Sequence, residues 1–198
     1  MRKVPHHITD KLPAAADLFA ENGLNDTKIE DVAAVTGVPK ATLYYYFPGK
    51  EDILAFLLQE LLRDISAAVK TVVAGDGTAA ERLVGVIGAQ LRVMGQRPAV
   101  CRALIGELGR AGRMPAIAEM INTAYQKPVE DLLVAGDRDG SLQPQRDVQA
   151  TSIALFGAVT VSALMYLVAG VDLDETTVGD TLNRLVIDGL RPRHQDRS

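Results

Sequence analysis

Apolar residues recur along nearly the whole chain at the three- and four-residue spacing of an amphipathic α-helix, and alternating strand-like runs are hard to find. The pattern predicts an all-α fold of about nine helices. Three short helices form an N-terminal head, and the longer helices after it form a larger antiparallel bundle. The change near residue 50 predicts two domains, residues 1–50 and 51–198.

Turn and capping residues set the bounds of the first predicted helix. Proline is tolerated in the first turn of a helix and costs about 3 kcal/mol or more further inside. Because Pro13 should lie in that first turn, we place the N-cap at Thr9 or Asp10 and expect the residues before Thr9 to form a loose arm. The helix should end at Asn22-Gly23, since glycine commonly terminates helices.

The next two predicted helices are shorter. The second should have Thr27 as its N-cap, with Glu30 three residues later in the spacing of a capping box, and should stop near Gly37. The third should run from Pro39, which suits the first helical position, to about Phe47. The longer helices should then begin at Lys50 and continue over residues 78–95, 98–110, 115–135, 147–169 and 174–190.

The second and third helices have the spacing of a helix-turn-helix, a motif whose second helix enters the DNA major groove. The motif needs a small residue where the helices cross, a glycine in the turn, and apolar residues that fix the angle. Ala33 is the small residue and Gly37 is in the turn. Val32, Val38 and Leu43 supply the apolar wedge, so the head is predicted to bind DNA.

The stretch from Leu18 to Leu54, LFAENGLNDTKIEDVAAVTGVPKATLYYYFPGKEDIL, resembles the tetracycline-repressor-like (TetR) family of bacterial transcriptional regulators, most specifically over TLYYYFPGKE. The resemblance implies a ligand-responsive repressor that binds a palindromic operator as a homodimer. It also implies release from DNA when a small, largely apolar molecule binds the C-terminal domain. The alternative is a helical ligand carrier or protein-interaction module whose helix-turn-helix is vestigial.

The resemblance also implies which residues contact double-stranded DNA. Thr27 would cap the second helix beside a phosphate, and Lys50 would hold a phosphate at the start of the fourth. Lys40 and Thr42 would lead the third helix into the groove, with Lys40 as the guanine reader because that helix has no arginine. Three adjacent tyrosines could instead form a packed aromatic cluster, and Glu30 could accept from a cytosine amine, although capping explains it better. The predicted set is Thr27, Lys40, Thr42, Tyr44, Tyr45, Tyr46 and Lys50.

Residues Val148–Val171 include no charged residue, which raises the question of a transmembrane helix. Interspersed polar residues and the absence of flanking Lys/Arg clusters argue against membrane insertion. A helix that is apolar all round must be covered on all sides, which fits a helix between its own bundle and a second subunit. By resemblance, residues 147–190 form the dimer interface, with candidates Ala154, Ala158, Ser162, Leu182, Leu185 and Val186.

The family resemblance implies a ligand cavity among the middle helices, for an effector that the sequence does not identify. The residues predicted to line it are large, soft or aromatic, and plain core packing explains such residues equally well. The candidates are Phe56, Met94, Cys101, Leu104, Met120, Tyr125, Phe156 and Tyr166.

The chain carries 21 Lys and Arg against 25 Asp and Glu, a net charge of −4, which at first argues against DNA binding. Met1–Thr9 and Val38–Lys50 nevertheless contain no acidic residue. The charge therefore predicts modest non-specific affinity for DNA and a shallow dependence on salt, because few phosphates can be neutralised.

No motif in the sequence indicates catalysis. No histidine lies near Cys101 in a nucleophile arrangement, and there is no phosphate-binding loop or metal-ligand spacing. We expect no enzyme activity, no metal and no cofactor. A single cysteine and the absence of an export signal predict a protein of the bacterial cytoplasm.

Overall fold

The computed structural model describes residues 4–103 and 115–192, with side chains over the same ranges except at 115–117. These ranges contain helices and no β-strand, which confirms the predicted all-α fold. The helices are α1 (His6–Thr9), α2 (Ala15–Asp26), α3 (Ile29–Thr36), α4 (Lys40–Tyr46), α5 (Lys50–Val73), α6 (Ala79–Gln96), α7 (98–103), α8 (Pro115–Ile121), α9 (Lys127–Asp139), α10 (Val148–Val168), α11 (Glu175–Leu182) and α12 (Asp188–Leu190). A 3₁₀ turn (Leu12–Ala14) precedes α2, and π-helical turns follow α8 (Asn122–Gln126) and α11 (Asn183–Ile187). The rest of the predicted helix over 98–110 lies outside the described residues.

The chain divides into two compact units. The first unit spans Met1–Leu61 and Arg97–Ala118, and the second spans Leu62–Gln96 and Glu119–Ser198. The described residues of each unit fall within these ranges. The expected boundary at residue 50 coincides with the start of α5. The first unit, however, continues along α5 and includes α7, whose Arg102 forms an ion pair with Asp17 of α2 at 3.3 Å.

The predicted loose arm before Thr9 is wrong for the described residues. His6–Thr9 form a short helix whose Ile8 is buried, and Asp10 donates its backbone N–H to the His6 carbonyl. Pro13 lies in the 3₁₀ turn, not in the first turn of a helix that starts at Thr9 or Asp10. A proline lacks an N–H and fixes φ, so the predicted first helix begins later, at Ala15, and the separate short helix α1 precedes the proline turn.

The core of the helix-turn-helix is formed as the sequence predicts. Val32, Val38 and Leu43 are buried, and Gly37 ends α3 with φ of 63°, a left-handed conformation that favours glycine. Ala33 is partly exposed between them. The predicted stop at Gly23 also occurs, because the backbone of α2 leaves helical geometry there.

The second unit is organised around α6, which packs against α9, α10 and α11. The chain after α9 caps the start of α6. The Asp139 carboxylate accepts from Ala79 N–H at 2.9 Å, and Ser141 Oγ accepts from Ala80 N–H at 3.1 Å. Hydrogen bonds from Ser141 and Ala79 lower the pKa of Asp139, so the cap stays ionised at neutral pH.

Helix α10 has an apolar residue on almost every face. It is the one helix among the described residues that is long and apolar enough to cross a membrane, and 33% of its most apolar window is buried. One face packs into the unit through Leu155, Val159 and Ala163. Other sides leave apolar side chains exposed, namely Ile153, Val161, Met165 and Val168, and Tyr166 near the end of the helix is also exposed.

We predict that Gly136→Ala destabilises the second unit. A Cβ at Gly136 of α9 would lie 2.5–2.8 Å from three side-chain atoms of the buried Leu142, so the substitution should cost about 1–3 kcal/mol. Gly88→Ala is the matched control, because a Cβ there has nothing within 4 Å and should stabilise α6 by about 0.5–1 kcal/mol. Urea unfolding at fixed protein concentration measures both, and equal stabilisation of the two variants would contradict this packing.

Candidate nucleic-acid interface

Helix α4, the recognition helix, is anchored on one side and exposed on the other. Leu43 and Phe47 are buried, and this four-residue spacing turns the intervening positions outward. Tyr44 and Tyr45 are 50% and 59% exposed. Tyr46 is partly buried and packs edge-on against Tyr45, with ring centroids 4.9 Å apart. Tyr44 and Tyr45 are therefore accessible to the major groove of DNA, whereas Tyr46 also packs against Tyr45.

The predicted cap of α3 by Thr27 is wrong, and the phosphate contact of Thr27 stays a prediction. Its side chain is 0% exposed, and its hydroxyl donates to the carbonyls of Gly23 at 2.7 Å and Leu18 at 3.3 Å. The N-cap of α3 is Lys28, whose backbone N–H donates to the Asp31 carboxylate at 3.3 Å. Thr27 thus closes the end of α2, because the break at Gly23 leaves carbonyls that need donors.

Lys50 joins the start of α5 to the junction between α2 and α3. Its Nζ donates to the Asn25 carbonyl at 2.6 Å and to the Thr27 carbonyl at 2.9 Å. The Asp52 carboxylate accepts from Gly49 N–H at 2.9 Å, so an acidic side chain already occupies part of this helix start. Lys50 therefore has a structural role that the sequence did not reveal.

Lys40, the predicted guanine reader, forms an ion pair with Glu30 of α3. The hydrogen bond between them lowers the pKa of Glu30 and raises the pKa of Lys40, so both stay charged at neutral pH. Both side chains are about half exposed, and such surface pairs add little to stability. Lys40 also lies 5.8 Å from the ring centroid of Tyr44, while Thr42 is partly exposed in the first turn of α4.

A concave surface brings together the starts of α3 and α5 with one side of α4. It includes predicted residues Thr27, Tyr44 and Lys50, and it adds Lys28, which the sequence analysis missed although it adjoins Thr27. Carboxylates of Asp26, Glu30 and Glu51 face the same surface, so its cations are locally outnumbered. The lining is Asn25, Asp26, Thr27, Lys28, Ile29, Glu30, Tyr44, Pro48, Gly49, Lys50 and Glu51.

The residues predicted to line an effector cavity belong to both units. Tyr125 and Phe156 pack edge to face in the second unit, with ring centroids 5.1 Å apart. Phe56 packs on Phe47 in the first unit, with centroids 5.7 Å apart, and is a core residue there. Tyr166 is exposed near the end of α10.

The other predicted cavity residues are also divided between the two units. Met94 is buried in the second unit and Met120 is partly exposed there. Cys101 is buried in the first unit, where burial raises the pKa of its thiol to about 12, so it behaves as a small apolar residue. Leu104 lies outside the described residues.

The predicted dimer residues fall into two classes. Ala154 and Leu185 are exposed, and Ala158, Ser162 and Val186 are partly exposed. Leu182 is only 5% exposed because it packs inside its own unit, so it offers no surface to a second subunit.

Comparison with known proteins connects this geometry to a family. Residues 12–56, which contain the whole helix-turn-helix, match the family described as bacterial regulatory proteins, tetR family. The HTH-type transcriptional repressor KstR2 of Rhodococcus jostii (strain RHA1) is 29% identical over 189 residues, 94% of this chain and 92% of that protein. The helix-turn-helix segment is therefore of the TetR type. The matches support a ligand-responsive, DNA-binding transcriptional regulator, and a vestigial helix-turn-helix is not favoured.

Solved TetR-family structures share the fold over nearly the full chain. The ketosteroid transcriptional regulator KstR2 of Mycobacterium tuberculosis superposes with a TM-score of 0.78 at 26% identity, over 96% of this chain and 98% of that one. The regulator FadR of Bacillus subtilis, solved in complex with stearoyl-CoA, has a TM-score of 0.79 at 21% identity, over 92% and 99%. The second of these likenesses concerns the fold alone.

We predict that Glu30→Gln strengthens non-specific DNA binding, because it releases Lys40 to neutralise a phosphate. The slope of log affinity against log salt should steepen by about 0.9 per subunit. The matched control is Asp131→Asn in the second unit, which makes the same charge change and removes the nearer of the two carboxylate partners of Lys127, at 2.8 Å. Fluorescence anisotropy on random-sequence duplex measures the slopes. Equal slopes in the two variants would contradict a role for Lys40 at the DNA.

Proposed function

We propose that this TetR-family chain is a homodimeric repressor that binds a palindromic operator and leaves it when a largely apolar small molecule binds the second unit. The observation that carries the proposal is the recognition helix, which presents Tyr44 and Tyr45 while Leu43 and Phe47 anchor it. Like its regulator relatives, the chain acts in the bacterial cytoplasm and has no catalytic role in this proposal.

Contacts to phosphate and to bases have different roles in the proposed complex. Phosphate contacts position a protein on the duplex, and base contacts select the sequence. Lys28 and Lys50 are the proposed phosphate ligands. An ammonium group has three donors, and two of those on Lys50 are used by carbonyls, so one remains for a phosphate. The proposed base readers are Lys40, Thr42, Tyr44 and Tyr45, with Tyr46 supporting Tyr45.

The exposed apolar side of α10 is the basis for the proposed dimer. The side chains of Val161, Met165 and Val168 are 51–62% exposed, and Leu185 after α11 is 74% exposed. Water around so much apolar surface is unfavourable, and a second copy of the same two helices would cover it. Two copies also provide two recognition helices, which read successive major grooves when they lie about 34–36 Å apart.

The relatives suggest the class of effector. KstR2 of Mycobacterium tuberculosis is a ketosteroid regulator by name, and FadR of Bacillus subtilis holds stearoyl-CoA. A ketosteroid and stearoyl-CoA each have a large hydrocarbon part with oxygen functions, and stearoyl-CoA adds the charged phosphates of coenzyme A. We propose an effector of this kind, with ketosteroids as the first class to test because KstR2 is the more similar protein.

The proposal predicts specific, effector-sensitive binding to a palindrome in DNA upstream of the protein's own gene. Affinity should exceed that for a scrambled duplex by about 10³-fold or more at physiological salt. Adding 4-androstene-3,17-dione or stearoyl-CoA should weaken operator binding by about 5- to 150-fold. Fluorescence anisotropy measures both effects. Equal affinity for the scrambled duplex would contradict the proposal and favour a ligand carrier.

We predict that Leu185→Asp separates the dimer and abolishes tight operator binding, because it places a charge in the proposed interface. Val134→Asp is the matched control, since Val134 is an exposed apolar residue on α9, outside the interface. Sedimentation velocity measures the oligomeric state. A wild-type chain that is monomeric in solution, or that needs detergent to stay dispersed, would contradict the proposed dimer.

A further inference from the structure

Four buried side-chain atoms of the second unit have no hydrogen-bond partner among the described residues, namely Arg82 Nε, Gln90 Oε1, Tyr125 Oη and Asn183 Oδ1, and two of them belong to side chains that contact α10. Tyr125, in the π-helical turn that follows α8, is 1% exposed and its hydroxyl is unpaired. Gln90 of α6 is 0% exposed. Its Nε2 donates to Thr160 Oγ1 at 2.8 Å, but its Oε1 is unpaired. Folded proteins contain few such atoms, and each one calls for an explanation.

The two side chains meet the same face of α10. The Tyr125 ring packs on Phe156, and the Gln90 amide is hydrogen-bonded to Thr160. Phe156 and Thr160 are four residues apart, so they lie on one side of the helix in successive turns. Both α6 and the π-helical turn pack against α10. Three elements therefore bring the two side chains to neighbouring turns of one helix.

Tyr125 and Gln90 contact uncharged, polarisable groups. Tyr125 contacts an aromatic ring, and the Sδ of Met94 lies 3.9 Å from Gln90 Nε2. Burial raises the pKa of Tyr125, so its hydroxyl stays protonated and can donate at any physiological pH. A π-helical turn is uncommon and occurs frequently at functional sites.

The two unpaired atoms have complementary needs. The Tyr125 hydroxyl needs an acceptor, and the Gln90 Oε1 needs a donor. A hydroxyl group on a ligand can accept from the first and donate to the second, whereas a ketone oxygen can serve only Tyr125. The chemistry therefore favours an alcohol over a ketone at this position.

We infer that Tyr125 and Gln90 hold the polar end of the effector, and that they select a hydroxyl group on an otherwise apolar, neutral molecule. The inference rests on the proposed function in taking the second unit as the effector-binding part of the chain. It adds the two residues that bind the polar end of the effector and the hydroxyl group that they select.

The first test uses the ligand-free protein and needs no knowledge of the effector. Tyr125→Phe removes an unpaired hydroxyl and keeps the ring on Phe156, so the melting temperature should rise by about 2 °C or more. Tyr166→Phe is the matched control, because it removes a hydroxyl from an exposed tyrosine of the same unit and should leave the melting temperature unchanged. A lower melting temperature for Tyr125→Phe would overturn the inference, since it would mean that the hydroxyl is already paired.

The second test compares two probes that differ at one oxygen. Testosterone carries a hydroxyl where 4-androstene-3,17-dione carries a ketone, and isothermal titration should show wild-type protein binding testosterone about tenfold more tightly. Tyr125→Phe should weaken both probes by about tenfold. Gln90→Met, which keeps the length of the side chain, should abolish the preference for testosterone and leave the ketone affinity nearly unchanged.

The outcomes separate this inference from the proposed function. If both variants bind the steroids as tightly as the wild-type protein does, Tyr125 and Gln90 do not bind the effector. The proposal that the second unit binds an effector is then unaffected. If wild-type protein binds neither steroid, the ketosteroid class of the proposed function is wrong. The melting temperature of ligand-free Tyr125→Phe then decides the inference by itself.

Discussion

The DNA-reading surface depends on a small buried junction, because the helices that form it are too short to be stable alone. Isolated helices below about 12–15 residues are marginal in water, and α3 and α4 have 8 and 7 residues. Buried Val32, Leu43 and Phe47 hold them by apolar packing. Thr27 and Lys50 complete the junction by donating to backbone carbonyls at and beyond the end of α2. The orientation of the recognition helix therefore depends on two polar residues that also lie at the proposed DNA surface.

The same junction explains how an acidic chain of net charge −4 can use its few cations selectively. Lys40 is ion-paired with Glu30, while the carbonyls that bind Lys50 orient its ammonium group and leave it one donor. A phosphate or a base must compete with Glu30 for Lys40, and random DNA competes less well than an operator that offers every contact together. Specificity thus arises partly from the protein's own carboxylates.

Much of the fold followed from spacing in the sequence, while the polar details did not. The order and spacing of Ala33, Gly37 and the apolar residues around them located α3, α4 and the turn between them, because packing at a helix crossing demands those residue types. The role of Thr27 was mistaken because its hydroxyl serves the preceding helix across the break at Gly23. The partners of Lys40 and Lys50 depend on contacts between elements that local patterns do not encode. Leu182 was expected to face a second subunit, but its own unit buries it, and burial of this kind depends on packing between helices that local patterns do not encode.

The central claim is that two copies of the recognition helix read a palindrome on one face of the duplex. Hydroxyl-radical footprinting on the upstream DNA, with the purified wild-type chain, tests it most directly. The account predicts two equivalent protected regions related by two-fold symmetry and separated by one helical turn, about 10 base pairs. It also predicts that both regions lose protection together when the effector is added. A single protected region, or uniform protection without symmetry, would contradict it.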